Sequence, residues 1–113
     1  MTRPLPGITR AAGSSEGQGR VTIENVNYPG VTSTADAALY HAMRDAIIRV
    51  LPAMGPGLTL AEVREALEEH LPAHLFPGGA RAGWWFKTVQ LDLEAKGVIA
   101  RQPSKPLRLR RNS

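Results

Sequence analysis

GGARAGWWFKTVQLDLEAKG, residues Gly78 to Gly97, is the stretch that decides the fold. A glycine pair opens it, an unbroken helical pattern fills it, and a glycine stops it. Phe86, Val89 and Leu93 recur at i, i+3 and i+7, the spacing of one buried helix face. The pattern predicts a helix from about Ala80 to Lys96. Gly97 then falls just past the C-cap, where a left-handed residue lets the last carbonyls find donors. With that face inward, Arg81, Trp84, Lys87, Thr88 and Leu91 lie on the outer face. Neighbours on a helix are about 100° apart, so one ring of the Trp84–Trp85 pair is expected in the core.

The segments before this helix read as its support. Pro72 to Gly79 is a linker from which Leu75 and Phe76 plug the core. A helix before it starts at Thr59, where Thr59 and Glu62 have capping-box spacing and Leu58 and Val63 that of a hydrophobic staple. Leu60, Val63, Leu67 and Leu71 form its buried face, and Pro72 is expected to end it. A first helix, capped by Thr34 or Asp36, runs to about Leu51 with Tyr40, Met43, Ile47 and Val50 or Leu51 on one stripe. Before it, Val21 to Val26 reads as a short strand, followed by a turn at Tyr28-Pro29-Gly30. Residues 1–20 hold little that could be buried and are expected to form a flexible arm.

After the helix, Val98–Gln102 reads as a strand, Pro103–Pro106 as a turn and Leu107–Arg111 as a returning strand. Leu107 and Leu109 face one way there, Arg108 and Arg110 the other. The expectation is one α+β domain, mainly α, over residues 21–111: short strand, three helices, β-hairpin.

The composition restricts the function. With no cysteine among 113 residues, disulfides and thiolate zinc sites are ruled out and a reducing compartment is expected. No window approaches the ~18 apolar residues of a membrane span, and the N-terminus has no apolar core of a secretory signal. A cytoplasmic location is the expectation. Net charge is +4, unevenly spread. Residues 1–79 hold six Arg against eight carboxylates, a net of −2, whereas residues 80–113 hold eight cations against Asp92 and Glu94, a net of +6. Such a directional field favours an anionic partner at the basic end.

The run Leu93-Glu94-Ala95-Lys96-Gly97-Val98-Ile99-Ala100-Arg101, with Val89 four residues earlier, resembles the junction between recognition helix and wing in winged-helix proteins. The resemblance implies a winged helix-turn-helix domain whose wing is the C-terminal hairpin. A second resemblance, closer and spanning about residues 21–110, rests on Ile23–Asn27, Pro29-Gly30, the Asp36 to Tyr40 spacing, Gly78-Gly79-Ala80, Ala82–Trp85, Lys87–Glu94 and Lys105–Arg108. These look like the motifs of a family of small uncharacterised bacterial proteins of unknown function. That likeness implies no activity and no site.

Chemistry at a catalytic site is not expected. His70 and His74 are four apart, but Pro72 breaks the face that a metal pair would need, and His41 sits on another helix. Gly78, Gly79 and Gly83 match no phosphate-loop or dinucleotide pattern. Glu62, Glu65, Glu68 and Glu69 read as a solvated face, and no nucleophile–base pair stands out. No enzyme, metal or cofactor is expected.

Two uses of the module follow. In the first, the helix over 80–96 and the hairpin over 98–111 bind duplex DNA. Arg81, Lys87 and Thr88 would meet the groove, and Arg101, Lys105, Arg108 and Arg110 the adjacent backbone. In the second, Trp84 and Leu91 form an apolar patch for a protein partner. Trp84 and Leu91 could instead pack beneath the wing or the N-terminal strand, and the pattern leaves this open. The chain ends at Ser113 without a further helix for pairing, so a monomer is expected over a dimer.

Overall fold

The computed structural model describes residues 19–112. Of the expected N-terminal arm, only Gly19 and Arg20 fall within that range; the remainder lies outside the described residues. Both are engaged. Arg20 begins strand β1 (Arg20–Glu24), and the Gly19 carbonyl accepts from the Ala37 N–H at 3.1 Å. β1 pairs antiparallel with β2 (Thr32–Asp36), placing Val21 opposite Ala35 and Ile23 opposite Ser33. The turn between them is closed by Tyr28 N–H to Asn25 O and by Asn27 N–H to the Asn25 side chain.

β2 corrects the expectation of a lone N-terminal strand. Thr32, Ser33 and Thr34 are all exposed and only Ala35 is buried, so the segment has no apolar alternation to announce a strand. Asp36 then caps α1 (Ala37–Val50), its carboxylate accepting from the Leu39 N–H at 3.0 Å. Tyr40, Met43, Ile47 and Leu51 are buried as the stripe requires, with Ala46 beside them.

The sequence marks β3 (Leu58–Thr59) only as a helix cap and staple. It is both cap and strand, pairing Leu58 with Leu109 and Thr59 with Arg108. The Thr59 hydroxyl accepts from the Glu62 N–H (3.1 Å) and the Glu62 carboxylate from the Thr59 N–H (2.8 Å), a complete capping box at the start of α2 (Leu60–Leu67). The Thr59 N–H holds the Glu62 carboxyl below its usual pKa. Two residues before Thr59, Gly57 has φ 83°, and a Cβ there would lie 2.3 Å from the Leu109 carbonyl oxygen. Only glycine lets the chain run this close to the hairpin.

α2 ends at Leu67, a turn earlier than the expected stop at Pro72. The residue before a proline disfavours the helical region, and residues 68–71 form turns instead, with the His70 N–H on the Leu67 carbonyl. The Pro72 carbonyl then accepts from both the Leu75 and Phe76 N–H groups, which drops Phe76 into the core. After a 3-10 turn at Pro77–Gly79 comes α3 (Ala82–Ala95), which starts two residues later than expected. Gly78, Gly79 and Arg81 all have positive φ (63°, 77° and 62°), so no regular helix can pass through them.

The C-terminus of α3 follows the expectation. Gly97 has φ 74°, its N–H donates to Glu94 O, and the Val98 N–H donates to Leu93 O, the paired bonds of a Schellman motif. β4 (Ile99–Gln102) and β5 (Arg108–Arg111) complete a three-stranded antiparallel sheet in the order β3-β5-β4. The Asn112 side chain reaches back to Gly97 O at 2.6 Å, locking the hairpin end against the end of α3.

One core joins these parts. Met43 and Ile47 of α1 with Leu51 just past its end, Val63 and Leu67 of α2, Phe76 of the linker, Trp85, Phe86, Val89 and Leu93 of α3, and Ile99 and Leu109 of the hairpin form a single cluster. Among the described residues no helix is long and apolar enough to cross a membrane.

Candidate nucleic-acid interface

α3 is engaged on three sides, and its free surface is what those sides leave. The inner side, Trp85, Phe86, Val89 and Leu93, is buried in the core cluster, and α3 packs chiefly on α1. The other two engaged sides are polar.

Asp92, 0% exposed, carries the first. Its carboxylate accepts from the Tyr40 hydroxyl (2.5 Å), the Glu24 N–H (2.8 Å) and the Lys96 ammonium (2.8 Å). Lys96 also donates to the Thr22 carbonyl at 3.2 Å. These bonds fasten β1 to α3 and α1 through one carboxylate. Burial, reinforced by the bond to Asp92, pushes the Tyr40 phenol above its ordinary pKa. Sequence reasoning counted Asp92 only as a charge. Its place beside the inward Leu93 and four residues before a lysine was the available sign of a partnered carboxylate.

The second polar side faces the hairpin. Gln90, itself buried, donates to Glu94 at 2.8 Å, and Arg101 grips Glu94 with two bonds of 2.5 and 3.1 Å. The hydrogen bond to Glu94 holds the Arg101 guanidinium above its usual pKa. The Glu94 side chain is only 4% exposed, so moving Arg101 to a phosphate would strand a buried carboxylate.

The remaining side is the outer face of the first turns of α3. Trp84 is 53% exposed there, standing edge-to-face against buried Trp85 with ring centroids 5.0 Å apart. The Arg81 guanidinium lies over the Trp84 ring at 5.3 Å, within cation–π range. Lys87 is exposed and Thr88 half-buried. Leu91, expected on the same patch, is buried at 8%, and its carbonyl accepts from the Val26 N–H. The outer face of α3 is therefore open toward its N-terminus and roofed toward its C-terminus.

Two clefts flank Lys87. One, about 430 Å³, runs between β1 and α3 and is lined by Ile23, Glu24, Asn25, Trp84, Thr88 and Leu91. The other, about 370 Å³, lies toward the hairpin and includes Arg64, Gln90, Arg101 and Leu107. Arg64 was not foreseen; it is exposed on α2 and brings a further cation to this side.

The other candidate cations divide. Lys105 is exposed at the hairpin turn. Arg108 donates to the Gly57 carbonyl at 3.1 Å and stands 3.7 Å from the Glu62 carboxylate, pinning β5 to the loop before β3. Arg110 is half-buried, and its buried Nε has no hydrogen-bond partner among the described residues. The structure thus brings Arg81, Lys87 and Thr88 together on one surface, while Arg101 and Arg108 serve the fold.

No curated protein and no solved structure matches the chain. A family model does match, over residues 20–109, from the first residue of β1 into β5. On that match the chain belongs to DUF6958, a family of unknown function.

Proposed function

We propose that the chain is a winged-helix module that binds duplex DNA through the first turns of α3 and the β4–β5 hairpin. The order helix, short strand, helix, helix, hairpin supports this reading. So does the pairing of β3, between the first two helices, with β5, which ties the hairpin to the helices. In this arrangement α3 is the recognition helix, and such helices meet base edges with their N-terminal residues.

The observation that carries the proposal is the outward group Arg81, Lys87 and Thr88 on the open half of α3, with Lys105 and Arg64 on flanking elements. Neither Lys87 nor Lys105 has an ion-pair partner among the described residues. The test is fluorescence anisotropy with a labelled duplex of about 20 base pairs at low salt. Wild type binds, and Lys87→Glu combined with Lys105→Glu does not. Equal binding by both proteins would refute the assignment of the surface.

A second reading has one observation in its favour, the exposure of Trp84. A protein partner would dock on that ring. The patch is smaller than the sequence suggested, because Leu91 is covered. A partner captured by wild type and lost with Trp84→Ala, in a protein that shows no DNA binding, would favour this reading.

A further inference from the structure

Trp84 has no task in the readout of an intact duplex. Stacked base pairs offer a groove-reading helix only their edges, whereas an indole offers a flat face. The ring is nevertheless more than half exposed and is held against Trp85. A planar group already rests over it, the Arg81 guanidinium at 5.3 Å. Next to the ring opens the cleft of about 430 Å³ between β1 and α3, within the ~300–1,000 Å³ typical of small-ligand sites.

Ile23 and Leu91 give the cleft apolar walls, Asn25, Thr88 and Glu24 bring donors and acceptors, and Lys87 adds a cation. The β1 wall is firmly set. Glu24 is tied through its N–H to buried Asp92, and the Asn25 carbonyl and side chain each accept a bond within the turn. An aromatic face, hydrogen-bonding groups and a cation together form a site for a nucleotide whose base is not in a stack.

We propose that this cleft holds an unpaired nucleobase, stacked on Trp84, with its edge toward Asn25, Thr88 and Glu24 and its phosphate on Lys87. The proposal rests on the nucleic-acid reading above and sharpens it: the preferred ligand is single-stranded or locally opened DNA. Stacking on one aromatic ring corresponds to a preference of roughly 5- to 100-fold over a ligand whose bases stay paired.

The experiment uses three labelled 20-mers of one sequence: fully paired, paired with a two-nucleotide bulge, and single-stranded. Wild type is expected to bind the bulged and single-stranded probes 5- to 100-fold more tightly than the paired one. In Trp84→Ala, whose replaced side chain is exposed, the preference disappears and the three probes bind alike. In Trp85→Phe, Trp84 is the sole tryptophan, and the single strand quenches its emission while the paired duplex does not. Equal binding of all three probes by wild type would overturn the nucleobase site and leave duplex binding standing. A preference that survives Trp84→Ala would also overturn it. No binding of any probe would remove both proposals.

Discussion

Replacing Asp92 by alanine tests how the N-terminal hairpin is held on the helices. The carboxylate is fully buried and takes three donors, Glu24 of β1, Tyr40 of α1 and Lys96 at the C-cap of α3. In Asp92→Ala the Tyr40 hydroxyl loses its partner in a buried setting, and the Glu24 N–H loses its acceptor. Each orphaned group costs about 1–3 kcal/mol. Lys96 adds less, since its side chain is 35% exposed and keeps the Thr22 carbonyl. The total is about 3–5 kcal/mol, the range for removing one partner of a buried pair. Out of a stability of ~5–15 kcal/mol that is severe, and at ~4–8 °C per kcal/mol Tm falls by on the order of 20 °C. Urea unfolding monitored by circular dichroism reads the change. Tyr40→Phe removes the hydroxyl together with its need for a partner and costs about 1.5–3 kcal/mol. Since both variants break the same bond, the double variant costs less than their sum, by roughly 1–2 kcal/mol. A loss below ~1 kcal/mol for Asp92→Ala, or strict additivity with Tyr40→Phe, would show that the network does not hold the hairpin in place.

Burial of the Tyr40 phenol, reinforced by the same hydrogen bond, predicts a pH dependence. The Tyr40 pKa is raised in the folded protein, so the unfolded tyrosine ionises first, near pH ~10. The stabilisation is whole below that pH and is lost above it, at about 1.4 kcal/mol per unit; Tyr40→Phe should show a shallower alkaline decline in urea titrations at pH 10–11.5. Two glycines with similar φ separate strain from collision. Gly97→Ala meets nothing within 4 Å and costs only the left-handed penalty of ~1–2 kcal/mol, whereas Gly57→Ala also drives a Cβ into the Leu109 carbonyl and costs clearly more. Equal Tm values for the two variants would contradict the close approach of β3 and β5. Arg108→Glu is expected to lower Tm as well as DNA affinity, because Arg108 holds the Gly57 carbonyl; Lys87→Glu, at an exposed position, should lower affinity with Tm within a few degrees of wild type.

Features written in local spacing were legible before the structure. The stripe on α1, the capping box at Thr59, the inward face of α3 and the Gly97 stop all depend on residues within one or two turns, and all four are present. Features that rest on distant partners were not. β2 is an edge strand with one buried side chain, so it carries no hydrophobic rhythm. The left-handed Arg81 that delays α3 is not a glycine, and nothing local marks it. Arg101 and Arg108 read as surface cations because Glu94 lies seven residues away and Gly57 fifty-one. Whether Trp84 and Leu91 were buried was undecidable from periodicity, since both fall on the outer face. Leu91 is buried, with the Val26 backbone bonded to its carbonyl, and Trp84 is open.

The salt dependence of duplex binding distinguishes the open cations from those held in the fold. Among the described residues, four cations are open on the proposed surface, Arg64, Arg81, Lys87 and Lys105, and each phosphate neutralised would contribute about 0.9 to the slope of log K against log salt. Binding through the open face of α3 and the hairpin turn predicts a slope of about −3 to −4 between 50 and 200 mM salt. A slope steeper than about −5 would mean that cations beyond these four reach the DNA. No measurable binding at the lowest salt would contradict the central claim.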